Sequence, residues 1–460
     1  MTVVIAPDDG AGKVARSRLI HRSLRETPPV AIDGHGIWLV AKDGRKILDA
    51  SGGAAVSCLG HQHPRVIEAL ARQASKLAYA HTSFFSSEPA EALAEELVGH
   101  EPGGLAYAYV VSGGSEAIEA SLKLARQYFV EKGEPQRTRF IARRQSYHGN
   151  TLGALAAGGN ARRRAPYASI LSHAFSHVSP AFAYHGAEDG ETEADYVRRL
   201  ATELDAEFTR LGSDTVAAFI AEPVVGATAG CVTAPEGYFR AVREICDDHG
   251  ALLILDEIMC GMGRTGTLHA WEQEGVTPDI QAIAKGLGGG FQPIGAMLVS
   301  AVIIDTLRDG SGSFQHGHTY LAHPMACAAA LEVQRIIKEE RLLEQVKSLG
   351  QMLERKLTER FGNHRHVGDI RGRGFFQAIE LVEDRTSRRP FDPNLNLHHR
   401  IKKAAFDLGL ACYPAGGTVD GHSGDHVLLA PPYIATASDI DLIVDRLGAA
   451  VEDALKSLGH

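Results

Sequence analysis

Lys285 ends the apolar run Ile280-Gln281-Ala282-Ile283-Ala284 and is followed by Gly286-Leu287-Gly288-Gly289-Gly290. A lysine at the end of a buried strand, surrounded by Gly and Ala, loses hydration; its pKa falls and its amine is freed as a nucleophile toward carbonyls. The plain alternative is a surface lysine whose amine snorkels to water. Asp256 closes a second apolar run, Leu252 to Leu255, and Glu222 a third, Val216 to Ala221. In open parallel sheets ligands bind beyond the carboxyl ends of the strands, so each carboxylate is a candidate ligand contact; each is equally a candidate loop cap or ion-pair partner.

Three further motifs are candidates for the same edge. Val111-Ser112-Gly113-Gly114-Ser115-Glu116 follows a strand-like run and opens a helix, a geometry that offers unpaired backbone N–H groups and the positive end of a helix dipole to a phosphate. The alternative is that Ser112 or Ser115 caps the helix. In Ser146-Tyr147-His148-Gly149, placed directly after a strand, the Tyr147 ring can stack on a planar ligand or belong to the core. In His316-Gly317-His318-Thr319-Tyr320, hydroxyl and imidazole groups suit a phosphate, and no third ligand at metal spacing accompanies the two histidines. An anion nest, an aromatic plate, a strand-end carboxylate and a nucleophilic lysine are together the parts that pyridoxal phosphate needs.

The elements that must position these groups are readable from pattern. Runs at Tyr107 to Val111, Arg139 to Ala142, Val216 to Ala221, Ala251 to Leu255, Ile280 to Ala284 and Gly295 to Val299 suit strands buried on both faces. They alternate with helical stretches such as Glu116 to Val130 and Glu236 to Asp248, which predicts an α/β fold with a mostly parallel sheet covered on both sides. From Met325 to Arg360 the pattern is helical; Phe375 to Leu381 and His426 to Leu429 then read as strands among helices such as Ser438 to Leu455, a separate α+β unit. Ile37 to Val40 and Lys46 to Leu48, split by Asp43-Gly44, predict a hairpin that could join either unit.

Composition excludes several classes. The chain has 460 residues, 44% hydrophobic and 22% charged, which is globular usage on a scale of two or three domains. With 47 basic and 56 acidic side chains the net charge is −9, and no dense basic block exists to hold a nucleic acid. Six scattered cysteines without a C-x-x-C pair suggest neither zinc nor disulfides, and no glycine fingerprint follows a strand as a dehydrogenase requires. The first thirty residues, with Asp8, Asp9, Lys13, Arg16 and Arg18, lack an apolar core, and no apolar run is long enough to span a bilayer, so a cytoplasmic location is expected.

At these residues the sequence resembles the class III aminotransferases, the ω-transaminase group of the fold-type-I pyridoxal-phosphate enzymes. The resemblance runs from Leu48-Asp49-Ala50-Ser51-Gly52-Gly53 to Ala430-Pro431-Pro432-Tyr433-Ile434 and is most specific over Leu255-Asp256-Glu257-Ile258-Met259-Cys260-Gly261-Met262-Gly263-Arg264-Thr265-Gly266. It implies a large cofactor-binding domain with a seven-stranded-type sheet over residues 71–330, a C-terminal small α+β domain over 331–460, and an N-terminal segment, 1–70, shared between the small domain and a dimer interface. It implies Lys285 as the Schiff-base lysine and proton carrier, Asp256 at the ring nitrogen, and Glu222 as an acid beside Asp256. It further implies Tyr147 and Ile258 on the two ring faces, and the Gly114 and Ser115 backbone on the phosphate. Thr319 is implied to reach the neighbouring subunit's phosphate, and Arg264 to brace its loop.

The activity so implied moves an amino group from a primary amine or ω-amino acid to a small keto acid such as pyruvate, in a homodimer. Decarboxylation-dependent transamination on the same scaffold and a non-catalytic binding protein are the alternatives. Two positions depart from relatives that act on glutamate-like acids, Ala227 standing where they often carry Glu and Tyr413 where they carry a mobile Arg; separately, Met259 stands where many relatives carry a Gln that bonds the cofactor's 3′ oxygen. Ala415 to Asp425 is a candidate gate or an ordinary surface loop. Phe84 and Phe85 match a place that lines the amine pocket in relatives, or belong to the core. Arg162 to Arg164 are candidates for the acceptor's positive charge.

Overall fold

The computed structural model describes residues 17–98 and 104–459; Asp8, Asp9, Lys13 and Arg16 of the N-terminal reading lie outside them. The central sheet has seven strands, β1 (Leu105–Val111), β2 (Arg139–Arg143), β3 (Phe175–Val178), β4 (Val216–Ala221), β5 (Leu252–Asp256), β6 (Ile280–Ile283) and β7 (Gly295–Ser300). Their spatial order is β1-β7-β6-β5-β4-β2-β3. From β3 to β6 every pairing is parallel, while β7 runs antiparallel to both β6 and β1. The connection from β6 to β7 carries only a short 3-10 turn, Lys285–Leu287, and lacks the helix that a parallel crossover requires.

Alternation of side chains along the buried strands feeds two cores. Phe140, Ala142, Ala218, Ile220 and Ile254 pack with Ile118, Leu122 and Phe129 of helix Gly114–Glu131. Ile141, Phe219, Ala221, Leu253 and Leu255 pack with Leu200 and Leu204 of helix Glu193–Leu211 and with Phe239 and Val242 of helix Tyr238–Asp248. A period-2 strand buried on both faces gives this division directly.

The expected hairpin forms, as strands Trp38–Ala41 and Lys46–Asp49, and its partner is C-terminal: Leu48 pairs in parallel with Leu410. Ile37 and Leu48 accordingly share an apolar cluster with Leu353, Ile379, Leu381 and Leu447. The long helical stretch is two helices, Pro324–Glu339 and Leu342–Phe361, divided at Arg341, whose φ is +55°. A second four-stranded sheet follows, Val367–Arg373, Phe376–Leu381, Asp425–Leu429 and Tyr413–Gly416 in that order, and helix Ala437–Lys456 closes the chain behind a capping box of Thr436 and Asp439. Among the described residues no helix is long and apolar enough to cross a membrane.

Candidate active site

The carboxyl ends of β1, β2, β4, β5 and β6 open on one cavity of about 290 Å³. Each strand ends in a polar or glycine-rich turn because the apolar run that buries it stops there, and this places Ser112–Ser115, Tyr147, Glu222, Asp256 and Lys285 around a common space.

Behind β1, helix Gly114–Glu131 begins without a side-chain cap. Ala117 is the first residue whose N–H finds an acceptor in that helix, the Gly113 carbonyl at 3.0 Å, so the N–H groups of Gly114, Ser115 and Glu116 have no intrahelical partner. Glycine is required here by close approach: a Cβ on Gly114 would lie 2.8 Å from Ile258 Cδ1. Ser115 is held from the opposite side, its Oγ accepting the Asn150 N–H at 3.0 Å.

Asp256 is 3% exposed and anchored at both oxygens, with His148 Nδ1 2.7 Å from Oδ2 and the Ile258 N–H donating to Oδ1 at 3.0 Å. Glu222 accepts the N–H groups of Tyr147 (3.0 Å) and Gly226 (2.9 Å). It therefore ties the turn after β2 to the turn after β4. Burial pushes the Glu222 carboxyl above the usual carboxylate range; the neighbouring His148 lowers it and the Asp256 charge raises it further. Lys285 has φ +47°, a left-handed conformation costly for a side chain with a Cβ, and it lines the cavity floor. Burial pulls its amine down to about 8, against the opposing pull of Asp256 and Glu222. An amine so placed is largely protonated at neutral pH and yields its proton readily.

This donor set tests the cofactor expectation. A desolvated lysine, a fixed carboxylate, an aromatic wall at Tyr147 and free helix N–H groups all border one cavity, and they match respectively the aldehyde, ring nitrogen, ring face and phosphate of pyridoxal phosphate. The residues present fit the group.

Gly114, Ser115, Tyr147, Glu222, Asp256, Ile258 and Lys285 all border the cavity, whereas Thr319 does not: it is exposed, with its carbonyl accepting the Tyr79 hydroxyl at 2.8 Å. Phe84 and Phe85 are 79% and 68% exposed, so they are not core residues. Arg264 is buried, donates to the carbonyls of Phe375 and Pro431 and lies 4.6 Å from the Tyr433 ring centroid, bracing its loop. Ala227 and Tyr413 pack together with Met259 against one apolar cluster that also holds Val224 and Phe376. The glycine-rich segment forms a hairpin loop fastened by Gln145, whose side-chain amide donates to the carbonyls of Gly417 (2.8 Å) and Thr418 (2.9 Å).

Sequence reasoning did not find Val56, Gln292, Pro293 and Ile294 as lining residues, nor the bond from His148 to Asp256. Gln292-Pro293 follows the Gly288-Gly289-Gly290 cluster with Phe291 between, and that cluster marked the lysine turn without marking its continuation.

A seven-stranded, mostly parallel sheet carrying this constellation defines the fold-type-I pyridoxal-phosphate transaminases. The family model "Aminotransferase class-III" matches residues 21–451, and the chain belongs to that family as a pyridoxal-phosphate-dependent aminotransferase. It is 47% identical over 457 residues to an uncharacterized aminotransferase of Schizosaccharomyces pombe, covering 99% of each chain. It also superimposes on a thermostable (S)-enantioselective omega-transaminase from Thermomicrobium roseum with TM-score 0.89, 35% identity and coverage of 95% and 96% of the two chains. A third similarity is to the omega transaminase of Pseudomonas jessenii in complex with PMP, with TM-score 0.91, 31% identity and coverage of 96% and 97%.

Proposed function

We propose that this aminotransferase moves an amino group from a primary amine or ω-amino acid to a small keto acid such as pyruvate, in two ping-pong half-reactions at the cavity of Lys285. The observation that carries the reading is the apolar junction of Ala227, Tyr413 and Met259, which holds no ion pair for a glutamate-like acid. Structural likeness to omega-transaminases supports the same substrate class.

Pyridoxal phosphate, when bound, supplies an electron sink for the carbon that loses its proton. Lys285 would hold the cofactor's carbonyl through its Nζ, and the same Nζ is placed to take and return a proton; a pKa near 8 suits both directions. Asp256 would keep the ring nitrogen protonated, and His148 fixes the carboxylate's orientation at 2.7 Å. Tyr147 and Ile258 would hold the ring, and the N–H groups of Gly114 and Ser115 would bind the phosphate. Glu222 positions the Tyr147 turn through its backbone bond. The working unit is a homodimer in which Thr319 of one subunit reaches the phosphate in the other, and the exposure of Thr319, Phe84 and Phe85 in the single chain supports this. The division 1–70, 71–330 and 331–460 is supported by the pairing of the N-terminal hairpin with Leu410 and Ala411.

The test is a panel of amines scored for loss of the bound cofactor's yellow absorbance, followed by keto acids scored for its return. Uncharged amines and ω-amino acids are expected to bleach the band and pyruvate to restore it, with 2-oxoglutarate poor. Carbon dioxide released in step with bleaching would instead establish the decarboxylating reaction, and a band indifferent to every amine would sink the reading.

A further inference from the structure

The three consecutive arginines after Asn160 part company in the fold. Arg164 donates to the carbonyls of Ala156 and Gly158, both at 2.7 Å, and lies 2.9 Å from His177 Nε2. Arg162 borders a separate polar recess with His398, His422 and Asp425. Arg163 alone packs on a residue that lines the cavity, its guanidinium carbon 4.7 Å from the centroid of the Tyr147 ring, and it stands outside the lining itself. It is exposed, and among the described residues no carboxylate stands at ion-pair distance from it.

Its placement is built from buried groups. Asn160, 7% exposed, accepts the Arg163 N–H at 3.2 Å through its side-chain oxygen and donates from its amide to Gln145 Oε1 at 3.2 Å. Gln145, 6% exposed and held at φ +59°, is in turn fastened to Gly417 and Thr418, and it lies two residues before Tyr147. A Cβ on Gly421 would lie 3.4 Å from the Arg162 nitrogen, so the hairpin loop packs against the short helix Ala161–Arg164. One hydrogen-bonded frame thus sets both the aromatic wall and the arginine beside it.

We propose that Arg163 binds the carboxylate of ω-amino-acid donors at the rim of the cavity while their amine reaches Lys285. The inference rests on the substrate reading given above and narrows it. Asp256 and Glu222 place carboxyls in the interior, Met259, backed by Ala227 and Tyr413, is apolar, and Lys285 is committed to the cofactor, so a donor's carboxylate finds its counter-charge at the rim beside Tyr147. The Tyr147 hydroxyl already lies in the field of Arg163 and of Arg22, which both lower its pKa against the larger effect of burial. Because Arg163 is exposed and Lys285 lies on the cavity floor, the carboxylate it binds is several bonds removed from the reacting amine. This selects ω- over α-amino acids.

The experiment uses the holoenzyme with 5-aminopentanoate, the uncharged pentylamine and the unreactive pentanoate. Arg163→Gln should lower the ratio of kcat/KM for 5-aminopentanoate to that for pentylamine by about 10–100-fold, through KM, and weaken calorimetric binding of pentanoate by about tenfold or more. Arg163→Lys should recover part of both, and Arg162→Gln should leave both unchanged. An unchanged ratio and unchanged pentanoate affinity in Arg163→Gln would overturn the assignment, as would equal losses in Arg162→Gln. If neither amine bleaches the wild-type cofactor, the substrate reading itself fails, and the pentanoate titration still decides the role of Arg163.

Discussion

The strand-end edge of the cavity and the apolar wall at Met259 are built on opposite principles. At the edge, charged groups sit where strands end, and each is tied to backbone: Glu222 to Tyr147 and Gly226, Asp256 to Ile258. At the wall, Met259 lines the cavity and Ala227 and Tyr413 back its apolar cluster, from a loop and from an edge strand of the C-terminal sheet. The edge cannot change without breaking hydrogen bonds that hold neighbouring turns together. The wall can change one side chain at a time, so on the proposed reading the edge holds the reaction type and the wall is left to set substrate choice.

The sharpest way to break this contrast is at the edge. Lys285→Ala should reduce turnover by more than about a thousandfold, because both the covalent link and the proton carrier are lost together. Borohydride reduction should then leave no pyridoxyl mark on the peptide that carries residue 285. Asp256→Ala should retain cofactor through the phosphate site and lose about 10²–10³-fold in the rate of cofactor bleaching by amine. Near-normal bleaching in either variant would remove the edge from the chemistry.

The wall should respond more weakly and in the direction of specificity. Ala227→Glu with Tyr413→Arg installs the ion pair that glutamate-type relatives carry, and the double variant should gain 2-oxoglutarate as acceptor at the expense of uncharged amines. Tyr413→Arg alone puts an unpaired charge beside Met259 and Phe376 and should cost about 1–3 kcal/mol in denaturant unfolding. The double variant should recover part of that cost, and the cycle of four proteins measures the coupling. Simple additivity would mean that the two positions do not meet across the wall.

The edge was legible in the sequence and the wall was not, for a physical reason. Val216 to Ala221, Leu252 to Leu255 and Ile280 to Ala284 are continuous apolar runs that stop abruptly, so Glu222, Asp256 and Lys285 announce themselves as strand ends. Phe175–Val178 escaped because it is a short edge strand, only half-buried, and carries Ser176 and His177 in place of an apolar run. Val56 and Gln292 reach the cavity from turns whose local pattern says nothing about what lies across from them. The destination of the N-terminal hairpin was likewise open, since its parallel partner Leu410 is more than three hundred residues away. Arg163 shows the same limit: three adjacent arginines are alike as sequence, and only the Asn160–Gln145 frame separates them.

The edge also contains its own contrast, because Asp256 and the next residue leave β5 on opposite sides. Asp256 faces the cavity, whereas Glu257 is fully buried and accepts the N–H groups of Ala270 and Trp271, each at 2.7 Å. Burial raises the Glu257 carboxyl to about 8, against the lowering effect of those N–H groups and of Gln281. A carboxyl whose folded pKa lies above its unfolded value holds its proton more tightly in the native state. Its contribution to stability is therefore complete below the unfolded value of 4.5 and is lost as pH rises through about 8. Glu257→Gln removes that titration, so unfolding free energy measured between pH 5 and 9 should fall less steeply than in the wild type. At pH 6 the variant should be weaker by only about 1 kcal/mol, the share of one backbone N–H that an amide nitrogen cannot accept. Its transamination rate should stay near wild type, and a large loss of rate would mean that the two neighbouring carboxyls do not divide chemistry from scaffolding.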